Sequence, residues 1–211
     1  MNITVFGANG RVGTLVVRRA LHQGHQVTAF VHSHNPFEEH PQLTVVAGDV
    51  TDTTAVGGAV EGAEAVVSTL GAFRRGTGPV LAPGLTIITQ AMRQHGTRRL
   101  VVLTGAGVAR PGRRPNLRTR VNRFVLARMD RTAVTDAEDA LAVVAGTDLA
   151  WTAVCAPTIT AEGPDGYRLT EQMPSLLAKV TGPAVAASLV DLAEQLDASP
   201  VVGIQQATPR T

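Results

Sequence analysis

Short apolar runs alternate with amphipathic stretches along most of the chain. The apolar runs are nearly continuous in valine and leucine, which is typical of strands covered on both faces. They predict strands at 2–6, 26–31, 43–47, 65–70, 99–104, 149–154 and 201–206. The amphipathic stretches predict helices at about 12–23, 52–60, 79–95, 117–129, 133–145 and 184–197. This alternation predicts an α/β fold with a doubly wound parallel sheet, Rossmann-like and three-layered, in a single domain spanning 1–211.

The C-terminal third departs from this alternation. A loop rich in glycine and proline at 161–166 is followed by a short extended piece at 167–169. Insertions after late strands of such folds usually cover the open end of the sheet. We therefore expect the region of about 156–182 to form a small substrate cap and not a separate domain.

The segment Gly-Ala-Asn-Gly-Arg-Val-Gly at 7–13 joins the first predicted strand to the first predicted helix. In that setting, backbone amides at the helix N-terminus hold a pyrophosphate. Gly7 permits a tight exit from the strand, Gly10 lets the main chain approach the phosphates, and Gly13 lets the helix pack on the sheet. The alternative is a purely structural turn. The predicted cofactor-binding residues of this segment are Gly7, Asn9, Gly10, Arg11, Val12 and Gly13.

The residues after the second predicted strand bear on the choice of dinucleotide. An acid at this position binds the ribose hydroxyls of NAD, whereas basic or hydroxyl groups accommodate the 2′-phosphate of NADP. Here the strand is followed by His32-Ser33-His34, and the first acid is Glu38. We therefore expect NADP(H) to be favoured over NAD(H), with His32 near the 2′-phosphate. The alternative is that these are ordinary loop histidines.

Composition limits the other possibilities. The chain has 211 residues, a net charge of +2, 44% hydrophobic and 17% charged residues, which is typical of a globular protein. No apolar run has the length of a membrane span and no signal peptide is evident, so we expect a cytoplasmic protein with no membrane partner. Cys155, the one cysteine, excludes an internal disulfide and is expected to be a buried thiol and not a nucleophile. The six histidines lack ligand spacing, so no metal site is predicted.

Basic residues are concentrated between Arg110 and Arg131, where eight arginines accompany a single acid, Asp130. Such a segment could contact nucleic-acid phosphates. Only Phe124 supplies an aromatic ring within it, so we expect no nucleic-acid partner. The remaining interpretations are a solvated helix face, arginines that face an anionic cofactor, and a docking surface for a protein partner.

A series of motifs occurs in a specific order along almost the whole chain. The motifs are GANGRVG at 7–13, GDVTD at 48–52, AVVSTLGA at 65–72, RLVVLTGAGV at 99–108, DAEDAL at 136–141, GTDLAWTAVCAP at 146–157 and GPDGYRL at 163–169. In this order they resemble the NmrA-like or atypical short-chain dehydrogenase/reductase family, the NAD(P)H-binding group that includes flavin reductase and biliverdin reductase B-type proteins.

The resemblance implies that further cofactor contacts come from the ends of the strands. The implied residues are Asp49 and Val50 beside the adenine, Leu70 and Gly71 near the ribose and pyrophosphate, Thr104 near the nicotinamide, and Pro157, Thr158 and Ile159 along the nicotinamide. Two of these have structural alternatives. Asp49 could instead cap the helix that follows it, and Thr104 could satisfy a strand-end amide.

The chain also departs from the pattern of short-chain dehydrogenases. Ordinary members place a tyrosine and a lysine four residues apart on a helix, where the ammonium lowers the pKa of the phenol. This chain has one tyrosine, Tyr167, and one lysine, Lys179, and their separation excludes that proton relay. Cys155 stands where the family often has arginine, and the stretch before the last predicted helix reads Thr181-Gly182-Pro183-Ala184 where the family tends to show Ser-Arg-x-Asp. Both differences bear on substrate-side chemistry.

Two functional hypotheses follow. The first is an NADPH-dependent reductase that passes hydride to a flat conjugated small molecule such as a flavin, quinone or enone, which needs no strong protein acid. Thr104, Thr158 and Tyr167 are the candidates for orienting that acceptor. The second is a non-catalytic NAD(P)-sensing protein of the NmrA type, whose partner would dock on the arginine-rich segment. Isomerase or epimerase chemistry is a third possibility, which the missing Tyr/Lys pair disfavours.

Overall fold

A computed structural model describes residues 1–71, 78–106, 108, 117–175, 177–195 and 200–207. Parts of the sequence predictions lie outside these residues. They are Ala72 and Gly107 in two of the motifs, residues 110–116 of the arginine-rich segment, Leu176 in the predicted cap, and the predicted helical positions 196–197.

The strands and helices follow the apolar pattern closely. The strands are β1 (Asn2–Phe6), β2 (Gln26–Val31), β3 (Leu43–Ala47), β4 (Ala65–Ser68), β5 (Arg99–Gly105), β6 (Ala150–Ala156), β7 (Thr158–Thr160), β8 (Tyr167–Thr170), β9 (Lys179–Thr181) and β10 (Val201–Gln206). The helices are α1 (Arg11–His22), α2 (Thr53–Val60), α3 (Leu81–Gln94), α4 (Leu117–Met129), α5 (Arg131–Ala145) and α6 (Gly182–Ala193). The sequence analysis missed β7 and β9, because three-residue strands are too short to show a periodic pattern.

The main sheet has eight strands in the order β3-β2-β1-β4-β5-β6-β10-β8. The pairs from β3 to β10 are parallel, and β8 joins β10 in antiparallel register. The chain runs outward from β1 through β2 to β3 and then returns to β4 on the other side of β1, so the topological switch lies between β1 and β4. The predicted doubly wound sheet is confirmed, with one antiparallel edge strand that the prediction of a parallel sheet did not include.

The sheet is covered on both faces, as the continuous apolar runs predicted. On one face, Ile3 and Val5 of β1 pack in a cluster with residues of α1 and α6. On the other face, Phe6 packs in a second cluster with residues of α2, α3 and α5. Cys155 is fully buried in this second cluster, as expected of a thiol in a core strand. The three-layer architecture is therefore confirmed.

The region that the sequence analysis interpreted as a cap has two parts. Strand β8 extends the main sheet, because it pairs with β10 from Tyr167 opposite Gln206 to Thr170 opposite Gly203. Strands β7 and β9 form a separate two-stranded parallel sheet. A role for this region in covering a substrate stays a prediction.

Arg99 anchors the amino edge of the sheet. Its side chain is 1% exposed and donates from Nε and Nη2 to the carbonyl of Leu192 near the end of α6, at 2.9 and 2.7 Å. It also donates to the carbonyl of Ala150 and the hydroxyl of Thr152. Burial lowers the pKa of Arg99 to about 10, so the guanidinium stays charged at neutral pH. A cation here is favourable because the helix C-terminus carries partial negative charge.

Candidate functional site

The turn after β1 brings three segments of backbone into close contact. Gly7 has a φ of +72°, and the amide of Gly10 donates to its carbonyl at 2.9 Å. A Cβ at Gly7 would lie 3.0 Å from backbone atoms of Thr69 and Leu70, directly after β4. A Cβ at Gly13, in the first turn of α1, would collide with the carbonyl oxygen of Gly7. Side chains at these two positions would therefore force β1, α1 and the end of β4 apart.

Two threonine hydroxyls fix the shape of this turn. Thr69 Oγ1 donates to the carbonyls of Phe6 and Gly7, at 3.0 and 3.2 Å. Thr14 Oγ1 lies 2.9 Å from the carbonyl of Gly10 and 3.2 Å from that of Ala8. Sequence reasoning missed both threonines, because a threonine near a strand end or in a first helical turn is too common to stand out.

Helix α1 begins without a capping side chain. Its N-cap, Gly10, makes no side-chain hydrogen bond to the first-turn amides, and no acid lies in that turn. By contrast, a side chain of the N-cap residue caps each of three other helices, namely Asp52 for α2, Asp130 for α5 and Thr181 for α6. Because first-turn amides carry partial positive charge, the start of α1 is suited to an external anion.

Helix α3 receives its cap from another helix. The carboxylate of Asp136, on α5, accepts hydrogen bonds from the amides of Val80, Leu81 and Ala82 at 2.8, 2.9 and 2.9 Å. The residue is 3% exposed. Sequence reasoning placed Asp136 in a motif but assigned it no role, since no local pattern shows that a carboxylate on one helix reaches the start of another.

Two of the predicted cofactor-binding residues meet on α3. A Cβ at Gly84 would lie 3.0 Å from Cγ2 of Val50 and 3.1 Å from Cδ1 of Leu70. Val50 is 8% exposed, whereas Gly71, the next residue after Leu70, is exposed. Glycine at position 84 therefore lets the ends of β3 and β4 pack against the first half of α3.

His32 and Asp49 form a pair just beyond the ends of β2 and β3. Nε2 of His32 lies 3.4 Å from Oδ2 of Asp49, and both side chains are more than half exposed. Oδ1 of Asp49 accepts from the amide and hydroxyl of Thr51, at 2.8 and 2.7 Å. These hydrogen bonds, together with His32, lower the pKa of Asp49. The helix that follows is capped by Asp52 through the amides of Thr54 and Ala55, so Asp49 does not serve as that cap.

Thr104 lies near the end of β5, opposite Cys155 on β6. Ser68 of β4 pairs with Val102 of β5. Leu70 comes two residues after Ser68, and Thr104 comes two residues after Val102. The two predicted residues therefore lie at the same level along neighbouring strands. Beyond β6, Pro157 is buried and Thr158 is exposed.

The β7 segment reaches the helices that flank the glycine turn. Ile159 pairs with Val180 and packs on the cluster beneath α1 and α6. A Cβ at Gly182, the first residue of α6, would contact Leu15 of α1 and the carbonyl of Thr160. The predicted nicotinamide segment is thereby placed beside the first turns of α1.

Asn122 of α4 links two segments of backbone near the carboxyl end of β5. It is 5% exposed, and its Nδ2 donates to the carbonyls of Ala106 and Pro174 at 3.2 and 3.1 Å. It thus joins the segment after β5 to the segment before β9. Sequence reasoning did not identify Asn122, which stands among arginines in a stretch with no distinctive motif.

Tyr167 is not brought together with the other predicted residues. Its hydroxyl lies 2.7 Å from Oδ2 of Asp191, in the last turn of α6, and Asp191 also accepts from Gln23 beyond the end of α1. Burial and then the bond to Asp191 raise the pKa of Tyr167. Gln23 is about 20 Å along the helix axis from Gly10, at 1.5 Å per residue. The tyrosine hydroxyl is therefore held at the opposite end of α1 from the glycine turn.

The remaining predicted residues all lie at the carboxyl edge of the parallel strands. The glycine turn occupies the switch point between β1 and β4, with His32 and Asp49 on one side and Thr104 and the β7 segment on the other. Open α/β sheets bind ligands at this position. Within the described residues there is no cluster of three or more metal-ligating side chains. In the same part of the chain, no helix is long and apolar enough to cross a membrane.

Comparison with protein families and solved structures agrees with this geometry. A sequence model of a family described as NAD(P)H-binding matches residues 7–196. The oxidoreductase ylbE from Lactococcus lactis has a TM-score of 0.80 at 17% identity, over 99% of this chain and 92% of that chain. A short-chain dehydrogenase/reductase from Veillonella parvula, solved with NADP, has a TM-score of 0.77 at 18% identity, over 97% and 94%. ChuY, an anaerobillin reductase from Escherichia coli O157:H7, has a TM-score of 0.74 at 17% identity, over 100% of each chain. At these identities the likeness is one of fold.

Curated relatives match a smaller part of the chain. A 3-beta-hydroxysteroid dehydrogenase from Mycolicibacterium neoaurum is 30% identical over 122 residues, which are 52% of this chain and 33% of that protein. An uncharacterized protein from Mycobacterium tuberculosis is 34% identical over 108 residues, which are 51% of this chain and 12% of that protein. The matched segment thus spans a third or less of the length of these relatives.

Proposed function

Because the chain belongs to the NAD(P)H-binding family, we propose that its carboxyl edge binds NADP(H) and that the protein is a reductase of a flat, conjugated small molecule. The observation that carries this proposal is the start of α1, where a glycine turn leaves the first-turn amides without a capping side chain. The amides of Arg11, Val12 and Gly13 would hold the pyrophosphate. The exposed guanidinium of Arg11 adds positive charge at the same place.

The residues present fit a dinucleotide. Gly10 has extended backbone angles that any residue can adopt, yet it carries no side chain at the place where phosphates would approach. His32 would lie near the 2′-position of the adenosine ribose, Asp49 and Val50 beside the adenine, and Leu70 near the ribose and pyrophosphate. The residues that would line the nicotinamide lie at the same carboxyl edge of the sheet. They are Thr104, Pro157, Thr158 and Ile159.

When bound, the reduced nicotinamide supplies a hydride. The work of this chain's own residues is to stack the acceptor, orient it and exclude water. Thr104 and Thr158 are the described hydroxyls at this edge that we assign to orienting the acceptor. With no Tyr/Lys pair four residues apart, the proton that follows the hydride comes from solvent or from a hydroxyl group, which suits flavins, quinones and enones. The chain has a single cysteine and so forms no internal disulfide, which supports placing the protein in a reducing compartment such as the cytoplasm.

Turnover tests this proposal directly. The protein is mixed with NADPH and a panel of flavins, quinones and enones, and the absorbance of the reduced nicotinamide is followed. We expect oxidation of NADPH with at least one acceptor, and Thr104→Val should lower kcat/KM for that acceptor by a larger factor than it lowers the affinity for NADPH. Binding of NADPH with no turnover on any acceptor would contradict the reductase assignment.

A second candidate, a non-catalytic NAD(P) sensor, is favoured by the outward face of α4. Its large apolar residues Leu117, Val121, Phe124 and Val125 are 43% to 76% exposed and recur at helical spacing along one side. Arg120 and Arg128 are exposed beside them. Charge complementarity suits this face to an acidic protein segment with apolar anchors. A sensor would bind oxidised and reduced dinucleotide with similar affinity and turn over no acceptor, which the same assays measure.

A further inference from the structure

Helix α4 turns polar side chains toward the protein and apolar ones toward solvent. Thr119 and Asn122 are buried, whereas Leu117 and Phe124 of the same helix are exposed. Burying an amide costs free energy unless the group is hydrogen-bonded, so an apolar residue would be the ordinary choice at an inward position. The burial of Asn122 therefore depends on the hydrogen bonds that its side chain makes.

The side chain of Asn122 matches two backbone carbonyls. Nδ2 lies 3.2 Å from the carbonyl oxygen of Ala106, just past β5, and 3.1 Å from that of Pro174, between β8 and β9. Two carbonyls cannot bond to each other, because both are acceptors, whereas a side-chain amide nitrogen carries two N–H groups. Asn122 thus joins two segments that their own backbone groups would leave apart.

Residues 172–174, between β8 and β9, are also held from the side of β10. A Cβ at Gly203 would collide with the carbonyl oxygen of Gln172 and would lie 2.9 Å from Cδ of Pro174. Between these two residues, Met173 is buried in the same cluster as Cys155 of β6. The 172–174 segment is therefore packed closely on β10, and Asn122 ties its last residue to the end of β5.

The Ala106 end of this link lies between the two segments predicted to line the nicotinamide. Ala106 comes two residues after Thr104, and its amide donates to the carbonyl of Ala156 at 3.0 Å. Ala156 is followed directly by Pro157 and Thr158. An acceptor stacked on the nicotinamide would thus lie next to the backbone that Asn122 joins to the 172–174 segment.

We propose that Asn122 is a positioning residue that sets the width of the acceptor space, by holding the 172–174 segment at a fixed distance from the end of β5. The inference rests on the proposed reduction of a flat acceptor at this edge. Asn122 acts through the two carbonyls and not by touching the acceptor. Because the acceptor must lie flat on the nicotinamide, the width of this space decides how many fused rings are held well.

Steady-state kinetics of Asn122→Leu with the reduced nicotinamide and the panel of acceptors test the inference. Leucine fills a similar volume but has no donors, so the 172–174 segment is released from the end of β5. We expect the KM of the acceptor to rise about tenfold while kcat changes much less, because contacts made equally in the ground state and the transition state are lost. The rise should be smallest for three-ring flavins and largest for one-ring quinones, since a wider space holds narrow acceptors least well.

A neighbouring residue on α4 supplies the matched control. Arg123 donates to the carboxylate of Glu138 on α5, at 2.6 and 2.9 Å, and so ties α4 to α5 without contacting either carbonyl. Arg123→Met should therefore keep the wild-type KM for every acceptor. Should Asn122→Leu fail to fold, Asn122→Ser gives the second measurement, and its acceptor KM should rise in the same direction.

Three results would overturn the inference, and they differ in what else they affect. An acceptor KM that stays at the wild-type value in the Asn122 variants shows that the residue does not set the acceptor space, and the proposed function is untouched. A fall in kcat with KM unchanged has the same meaning, because a purely stabilising residue would alter only the amount of active protein. If the wild type binds NADPH and reduces no acceptor, the reductase assignment fails and the inference fails with it.

Discussion

Two helices follow the neighbouring strands β1 and β4 at the switch point, on opposite faces of the sheet, and only one of them has its first-turn amides capped by a side chain. Helix α1 follows β1, and α3 follows β4, the strand that pairs with β1. At α3, the buried carboxylate of Asp136 accepts three hydrogen bonds from the first-turn amides. At α1, a glycine N-cap offers no side chain at all.

The difference shows how one edge can hold both a structural and a ligand-binding helix start. The amides of α3 are satisfied inside the protein, so they have nothing left for an anion. The amides of α1 are left for an external partner, and the fold gives up the stabilisation that a capping side chain would provide. Binding and stability should therefore respond separately when each helix start is altered.

The largest expected effect is on stability at α3. Asp136→Ala removes the acceptor of three amide hydrogen bonds at a buried site, and we expect the free energy of unfolding to fall by about 3 kcal/mol. Chemical denaturation measures this value. Asp139→Ala, at an exposed position on the same helix, is the control and should change it by less than about 0.5 kcal/mol. Equal losses in the two variants would mean that the α3 cap is not what stabilises this edge.

A change at Gly13 of α1 should weaken binding together with some loss of stability, because a Cβ there displaces the glycine turn. In Gly13→Ala the added Cβ collides with the backbone of the glycine turn, so we expect the affinity for NADPH to fall roughly 100-fold, about 2.7 kcal/mol. Fluorescence titration with NADPH measures it. Gly58→Ala, in α2, where a Cβ would meet nothing within 4 Å, is the matched control and should bind normally. Normal binding by Gly13→Ala would contradict the proposed site.

Giving α1 a capping carboxylate, as α3 has from Asp136, should raise stability and weaken the binding of NADPH. In Gly10→Asp the new carboxylate can accept from the first-turn amides, so we expect unfolding to require about 0.5 kcal/mol more while the affinity for NADPH falls about tenfold. The Cβ would lie 3.1 Å from the carbonyl of Gly7, which calls for a small local shift. Gly10→Ser caps without charge and should weaken binding less. A Gly10→Asp protein that binds NADPH as tightly as wild type would remove the contrast between the two helices.

This contrast marks the boundary of what the sequence could predict. The glycine turn was predictable because its spacing is local and each glycine has a conformational reason. The sheet was predictable from continuous apolar runs, up to the antiparallel edge strand β8. The cap from Asp136 to α3 was not, since 55 positions separate Asp136 from Leu81 and only the packing of α3 on α5 brings them together. The pairing of His32 with Asp49 escaped for the same reason, although each residue was singled out alone.

The smallest expected effect on stability is at the end of α1 opposite the glycine turn. It tests whether Tyr167 belongs to the proposed binding site or only stabilises that end of the helix. Tyr167→Phe removes the hydroxyl that bonds to Asp191, and because the side chain is only half-buried we expect a loss of about 1 kcal/mol in the free energy of unfolding. The folded-state pKa of Tyr167 is raised, chiefly by burial and then by Asp191, so its contribution is complete below the unfolded value of about 10 and is lost as the pH rises above it. Denaturation at pH 8 and at pH 10.5 should therefore show a larger loss in wild type than in Tyr167→Phe. The same variant should bind NADPH normally and keep its kcat/KM, because the hydroxyl is bonded to Asp191, which also contacts Gln23 beyond the end of α1 opposite the glycine turn. A large fall in kcat/KM with unchanged stability would instead place Tyr167 among the residues that orient the acceptor.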